Sequence, residues 1–380
     1  FRKQPKFFDV VTYTGNSTAG RTVSHSLGSV PGMIIVKKTD GTSNWAVWHR
    51  SLESDNHTLL LNATGGEDET GYYNDTTPTT SNFTVSDSTL TNNNSETYVA
   101  YIFAHNNSDG GFGSTGDQDI IKCSSYTGNG STSNAITLGF EPQWIMIKKF
   151  SASGSGWFIW DSMRGIIANG DDKYLLANAT DAEATSDLLE VTADGFKLTA
   201  NNAHTNTSSE TYVYMAIRRG PMKTPTAGTD VLAILKETTG NLASDPKFLQ
   251  TSGFPVGFVI NKSYFWSATR LTNARLQFET TDAETSVSAT HEFDHMNGVA
   301  AAGLTSDSDF MGYMFRRQPK VFDIVAYAGD GTSSRAIKHN LIVAPELIIL
   351  KNRGASGGGA DWVVGAASLG DDEGTTRSGN

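Results

Sequence analysis

Short apolar runs alternate with polar, glycine-rich breaks along all 380 residues, with a break roughly every ten residues. Some runs alternate apolar and polar positions, the period of a half-buried strand. Others are apolar throughout, as a strand covered on both faces must be. No stretch keeps a 3.6-residue apolar period over three turns, and the stretches 181–190 and 282–285 have room for one turn of helix at most. Roughly six to eight short strands per hundred residues, divided by Gly, Asn, Asp, Ser and Thr, predict an antiparallel β-sandwich or barrel.

One unit recurs. Phe1-Arg2-Lys3-Gln4-Pro5-Lys6-Phe7-Phe8-Asp9-Val10 returns 314 residues on as Phe315-Arg316-Arg317-Gln318-Pro319-Lys320-Val321-Phe322-Asp323-Ile324. The match continues without a gap through Tyr13/Tyr327, Gly15/Gly329, His25/His339 and Pro31/Pro345. A proline-led apolar strand begins at Pro31, Pro142, Pro255 and Pro345, and an aromatic strand follows at Trp45–Trp48, Trp157–Trp160, Tyr264–Trp266 and Trp362. Leu59-Leu60-Leu61-Asn62-Ala63-Thr64 is echoed by Leu175-Leu176-Ala177-Asn178-Ala179-Thr180, and a Ser-Glu-Thr-Tyr strand closes the unit at 95–101 and 209–214. The expected domains are repeats at 7–105, 118–219, 228–317 (divergent) and 321–380 (partial), with 1–6 as the end of a preceding repeat. Both ends cut through the pattern, which suggests a window on a longer protein.

Proline can open a strand because its missing N–H falls outside the ladder. The apolar run after each such proline predicts a mid-sheet strand buried on both faces. In the aromatic strand, Trp45, Val47 and His49 share one face, and Ala46, Trp48 and Arg50 the other. One Trp is therefore expected in the core and the other on an outer or concave face. The joins at 217–221 and 315–320 are short and predict fixed neighbours, whereas 105–118, rich in Gly, Asn and Ser, reads as more flexible.

Composition narrows the function. Charged residues are only 18%, while 7 Trp, 19 Phe and 12 Tyr supply too many anchors for a disordered chain. A net charge of −11 with no basic run argues against nucleic acid as a partner. No apolar stretch approaches the ~18–20 residues of a membrane helix, so no membrane insertion is expected. Cys123 is the sole cysteine, which excludes an internal disulfide and mildly favours assembly in a reducing cytosol.

The candidate chemistry is thin. Glu96 and Glu210 open the closing strand and read as structural, without the paired-carboxylate pattern of a glycosidase. His25 and His339 lack a nucleophile elbow beside them. His291 and His295 have the i, i+4 spacing of a metal pair but lie in a β pattern. The acidic turns at Asp40 and at Asp171-Asp172 lack the full calcium-loop pattern. No catalytic residue, metal or cofactor is expected. What remains is an aromatic face: Trp48, Trp160 and Trp266 recur beside Arg50, Arg164 and Arg270. Exposed, these would stack on sugar rings or contact a partner; buried, they would fill the core or a subunit contact.

The strings Phe8-Asp9-Val10-Val11-Thr12-Tyr13-Thr14-Gly15, His25 through Lys37, Asn44-Trp45-Ala46-Val47-Trp48-His49 and Glu96-Thr97-Tyr98-Val99-Ala100-Tyr101 resemble tandem repeats in structural proteins of marine tailed bacteriophages, cyanophages among them. The resemblance covers the chain, weakly in the third repeat. It implies an all-β fold of tandem antiparallel sandwiches, jelly-roll or concanavalin-like. It also implies a non-enzymatic virion protein, a tail fibre or other surface appendage, that contributes to host-surface attachment. The implied partners are other virion proteins, further copies in a homo-oligomer, and a host-surface glycan or protein receptor. The alternatives are an architectural capsid-decoration or filament subunit, and a glycan depolymerase.

Overall fold

In the computed structural model the chain is nearly all β, as the alternation predicts. The structure describes residues 1–108, 111–112, 116, 118–166, 170–220, 225–238, 248–261, 266–270, 274–278, 280–286, 291–293, 295, 297–301, 309–327, 329, 331–332, 335–354 and 361–367. Two compact units form, one from 1–161 with 171–220, the other from 162–170 with 221–380. Among the described residues no helix is long and apolar enough to cross a membrane.

The first unit holds two sandwiches. The first sandwich contributes β1 (Phe8–Thr14), β2 (Arg21–Ser24), β3 (Pro31–Lys38), β4 (Trp45–His49), β5 (His57–Leu60), β6 (Asp68–Glu69), β7 (Asn82–Val85) and β8 (Thr97–Ala104). The second contributes β9 (Ile121–Thr127), β10 (Asn134–Thr137), β11 (Pro142–Lys149), β12 (Phe158–Asp161), β13 (Asp172–Leu176), β14 (Ala184–Ser186), β15 (Leu189–Thr192), β16 (Gly195–Leu198) and β17 (Thr211–Arg218). Each has a six-stranded antiparallel sheet in one topology, β1-β8-β3-β4-β5-β6 and β9-β17-β11-β12-β13-β14. A smaller sheet, β2-β7 or β10-β16-β15, covers one face. The stretch 181–190, open to a helical turn on sequence, instead supplies β14 and the start of β15.

β3 explains the proline-led motif. It lies between β8 and β4, and its first six residues are all buried. Its two faces meet different layers. Ile34 and Val36 pair in register with Trp48 and Ala46 on β4 and with Ile102 and Ala100 on β8. The Tyr73 hydroxyl closes over them, 3.0 Å from the Ala46 carbonyl oxygen and 3.2 Å from that of Ile34.

The other face meets the second sandwich. One buried apolar cluster joins Met33, Ile35, Val47 and Phe103 of the first sandwich to Ile121, Cys123, Met146, Trp157, Val213, Met215 and Ile217 of the second. On β17 alternation sends Val213, Met215 and Ile217 into that cluster, while the Tyr212 and Tyr214 rings pack beside Tyr126 inside the second sandwich. Polar bonds stitch the same seam. The Trp157 indole donates to the Leu60 carbonyl (3.0 Å), the Gly154 amide to Thr64 O (2.9 Å) and the Glu67 amide to Phe150 O (2.8 Å). The linker that reads as flexible thus connects two sandwiches that share a core.

A polar knot recurs at the same place in both. The Tyr13 hydroxyl donates to Thr91 O and that of Tyr126 to Thr205 O, each at 2.6 Å. Tyr13 stacks on Tyr98 and Tyr126 on Tyr212, at 5.3 and 5.0 Å. Asn92 and Asn206, both fully buried, each accept from a turn amide (Asn16 and Asn129, 3.0 Å) and donate to carbonyls of neighbouring loops. The Asn-Ala-Thr motif has a similar purpose: the Asn62 and Asn178 side chains accept the first amide of the aromatic strand, from Trp45 (2.9 Å) and Trp157 (2.8 Å).

The second unit repeats the plan. Its large sheet runs Leu232–Thr238, Asp309–Phe315, Phe258–Asn261, Trp266–Thr269, Ala274–Gln277, Thr285–Ser286, the strand order of the other two sandwiches. Phe248–Thr251, Gly298–Ala301 and His291–Glu292 form the small sheet, and Phe254, Val256, Val259, Phe293 and Met314 fill the core. Sequence drift in this repeat left the topology intact. In the partial fourth repeat, Leu347–Leu350 pairs with Val363–Ala366 and its four apolar side chains are 42–58% exposed.

The 314-residue offset is structural as well. Asp9 accepts from Lys3 (2.7 Å) and from the Ser26 amide (2.7 Å). Asp323 accepts from Arg317 (2.8 Å) and from the Asn340 amide (2.8 Å). Lys6 and Lys320 both take a left-handed backbone, φ 61° and 67°, so the same tight bend follows each proline.

Candidate functional site

The aromatic face expected on sequence is not a surface. Trp48 is 2% exposed; it lies opposite Ile34, and its indole donates to Asp55 Oδ1 at 3.3 Å. Trp160 is 0% exposed and packs on Phe158 at 5.6 Å between ring centres. Trp266 heads a strand, but its side chain lies outside the described residues. The arginines do not share a face either. Arg50 is exposed just past β4, and Arg164 is half-buried. Arg270 is half-buried too, donating to Val256 O (3.0 Å) with its guanidinium 5.8 Å from the Phe293 ring centre. The expectation of an outer face on β4 is thereby corrected. Both faces of its sheet are covered, one by the small sheet of its own sandwich and one by the second sandwich, so neither Trp48 nor Trp160 can stack on a sugar.

The described titratable candidates are held by local hydrogen bonds and ion pairs. Lys38 pairs with Glu96, and its hydrogen bond holds the Glu96 carboxyl below the usual glutamate range despite some desolvation. Glu210 accepts from the Ser151 hydroxyl. Asp40, one of the acidic turns, caps β8 by accepting the Thr97 amide at 2.8 Å. His25 follows β2, and its Nδ1 accepts the Leu27 amide at 3.2 Å; His339 accepts the Leu341 amide at the same distance. His291 stands in a strand rather than a helix, and its side chain lies outside the described residues.

An open cleft of mixed polar and apolar lining remains, about 530 Å³ in volume, with Lys38, Ser43, Asn44, Asn62, Leu90 and Glu96 among its lining residues. Asn62 donates to Asn44 at 2.9 Å, which fixes one wall. The Trp45 ring is not in its lining; it stacks on Tyr101 at 6.3 Å with the Lys37 ammonium 5.7 Å from its centre. Amides, hydroxyls and one ion pair suit a hydroxyl-rich ligand. Glycoside cleavage needs two carboxyl groups about 5–10 Å apart, and the lining of this cleft carries one, Glu96. Sequence reading passed over the cleft, because its residues come from three loops and look like ordinary turn residues. Among the described residues one trio has side chains suited to a metal ion, Glu53, His57 and Glu67.

One family model matches the chain, over residues 3–221, and its description is a domain of unknown function, DUF7483. The match spans both sandwiches of the first unit. No curated protein matches the chain.

Proposed function

We propose, from the premise that the chain belongs to the DUF7483 family, that it is a non-enzymatic structural module of a phage surface appendage, a tail fibre or similar, that contributes to host-surface attachment. The observation that supports this reading best is the shared core of the two sandwiches. Aromatic and aliphatic side chains that a binding sheet would expose are spent on holding neighbours at a fixed spacing. Such a pair transmits force and presents its loops in a set geometry, which suits an appendage better than a catalyst that must open and close. The hydroxyl- and amide-lined cleft fits a surface glycan, and the resemblance of the repeats to those of marine phage virion proteins points the same way. Partners are then other virion proteins, further copies of the chain, and a host glycan or protein receptor. Several weak cleft contacts add up when copies assemble. The acidic net charge and the lack of a basic run speak against nucleic acid.

Two measurements test it. Antibody labelling of the particle should decorate an appendage; labelling confined to the capsid shell would favour the architectural alternative. The assembled chain should bind host cells, and Thr42→Trp, which fills the cleft from an exposed position, should weaken that binding at least tenfold. Release of sugars from host glycan by the purified chain would favour the depolymerase alternative.

A further inference from the structure

Glu53, His57 and Glu67 each bring one ligand atom into a group whose members lie within 4.8 Å of one another. Ligands around a divalent cation bound at ~2.0–2.2 Å sit about 3–4 Å apart, so the group would close by up to about 1–2 Å to hold one. The His57 Nδ1 is already 3.6 Å from Glu67 Oε2, with both side chains largely covered.

The frame around the trio is fixed. The turn before β5 is anchored by Asp55, which accepts from the Trp48 indole at 3.3 Å and from the Thr77 hydroxyl. Glu67 Oε2 accepts the Glu53 amide at 3.0 Å. The Glu67 amide is bonded to Phe150 O of the second sandwich at 2.8 Å. Two carboxylates gathered around one imidazole in this way favour a cation.

The second sandwich provides an internal control. In the β5–β6 hairpin His57 pairs with Glu69; in β13–β14 Lys173 pairs with Thr185 in the same register. Lys173 therefore stands where the first sandwich has His57, and Glu183 where it has Glu67. There the glutamate is neutralised by Lys173, 3.1 Å away. Residues 162–170 of the second repeat contain no acidic residue to match Glu53. The first repeat thus replaces a self-neutral ion pair with two carboxylates and an imidazole, and a lysine-to-histidine exchange removes a fixed charge while adding a metal ligand.

We propose that Glu53, His57 and Glu67 form a divalent-cation site of the zinc class, with His57 giving a ring nitrogen, each glutamate an oxygen, and water the remaining ligands. The imidazole selects zinc-like ions over calcium and magnesium, which prefer all-oxygen shells. A bound ion ties the turn after β4 to the segment that is itself bonded to the second sandwich, so it reinforces the seam.

The full chain, stripped with a chelator, tests this by calorimetric titration and thermal melting with zinc chloride and, separately, calcium chloride. Zinc should bind one per chain and raise the melting temperature by several degrees, with at least tenfold weaker calcium binding. His57→Lys installs the second sandwich's own ion pair; it should keep the metal-free melting temperature and lose the zinc response. Glu53→Gln, at an exposed position, should weaken zinc binding at least tenfold, and it decides the matter should His57→Lys melt early without metal. No zinc shift in the natural chain, a shift of equal size in both variants, or calcium binding as tight as zinc would overturn the proposal.

Discussion

The His49 ring nitrogen Nε2 lies 3.2 Å from the backbone carbonyl oxygen of Tyr214, 165 positions away in the second sandwich. The carbonyl can only accept, so Nε2 carries the hydrogen. Nδ1 in turn accepts the Ser51 amide at 3.2 Å. Both nitrogens are thus committed to the neutral ring, and His49 locks β4 of one sandwich to β17 of the other.

That lock makes the pair sensitive to acid. Burial pushes the His49 pKa down to about 3, against the favourable bond to Tyr214 and with Arg50 and His105 adding to the fall. A histidine with a depressed folded-state pKa leaves stability intact above the unfolded value near 6.5. Stability is then lost as the pH drops from about 6.5 towards 3, by up to about 4 kcal/mol for this one group. Urea midpoints should fall steadily from pH 7 to pH 4, and His49→Gln should flatten that fall. An equal slope in the variant would assign the acid sensitivity elsewhere.

Lys148 gives the opposite limb. It is fully buried at the same seam and donates to Ser155 O (2.7 Å) and Thr64 O (3.3 Å), and burial lowers its pKa to about 8, with Lys149 adding to the fall. The folded state disfavours the charged form, so below pH 8 the chain carries a fixed penalty that is relieved between pH 8 and about 10.5. Melting temperature should rise from pH 8 to 9.5, before the buried tyrosines begin to ionise on unfolding. Lys148→Met should abolish the rise.

The asparagine hubs are expected to be the most sensitive polar positions. Asn206→Ala removes a fully buried side chain's bonds to Ser131 O (2.7 Å), Ala200 O (3.1 Å) and the Asn129 amide (3.0 Å). Stranding those groups should cost about 2–4 kcal/mol. Asn44→Ala, on an exposed loop, should stay within about 0.5 kcal/mol. Chemical denaturation of the two variants provides the comparison.

Gly15 and Gly128 should be as intolerant as the hubs. A Cβ at Gly15 would sit 1.9 Å from Asn93 O, and one at Gly128 2.1 Å from Thr207 O. Neither backbone can retreat without breaking the polar knot, so Gly→Ala at either position should cost more than about 2 kcal/mol in the same denaturation experiment. A cost under about 0.5 kcal/mol would show that the turn is loose.

Much of the fold could be read from the sequence because alternation and turn chemistry are local. Proline-led strands and a mid-sheet β3 buried on both faces follow from neighbours along the chain. The second face of β4 does not. Alternation shows that Trp45 and Val47 leave the core of their own sandwich, but it cannot distinguish solvent, ligand or another sheet on that side. The trio of Glu53, His57 and Glu67 was hidden for a similar reason, since hairpin register rather than a spaced motif brings it together. The one sequence signal for it was a difference between copies, His57 against Lys173, where the rest of the motif matches.

Cys123 is the chain's own reporter on the shared core. It is the sole cysteine, fully buried, with its Sγ 3.5 Å from Ala104 O across the seam and its thiol pushed far above the ordinary range by burial. A thiol reagent can reach it only if the sandwiches part. Labelling rates measured across a urea series should follow the global unfolding equilibrium, with essentially no reaction in native buffer. Rapid native-state labelling, many orders of magnitude above the rate that global unfolding permits, would show that the two sandwiches separate on their own and would contradict a fused pair.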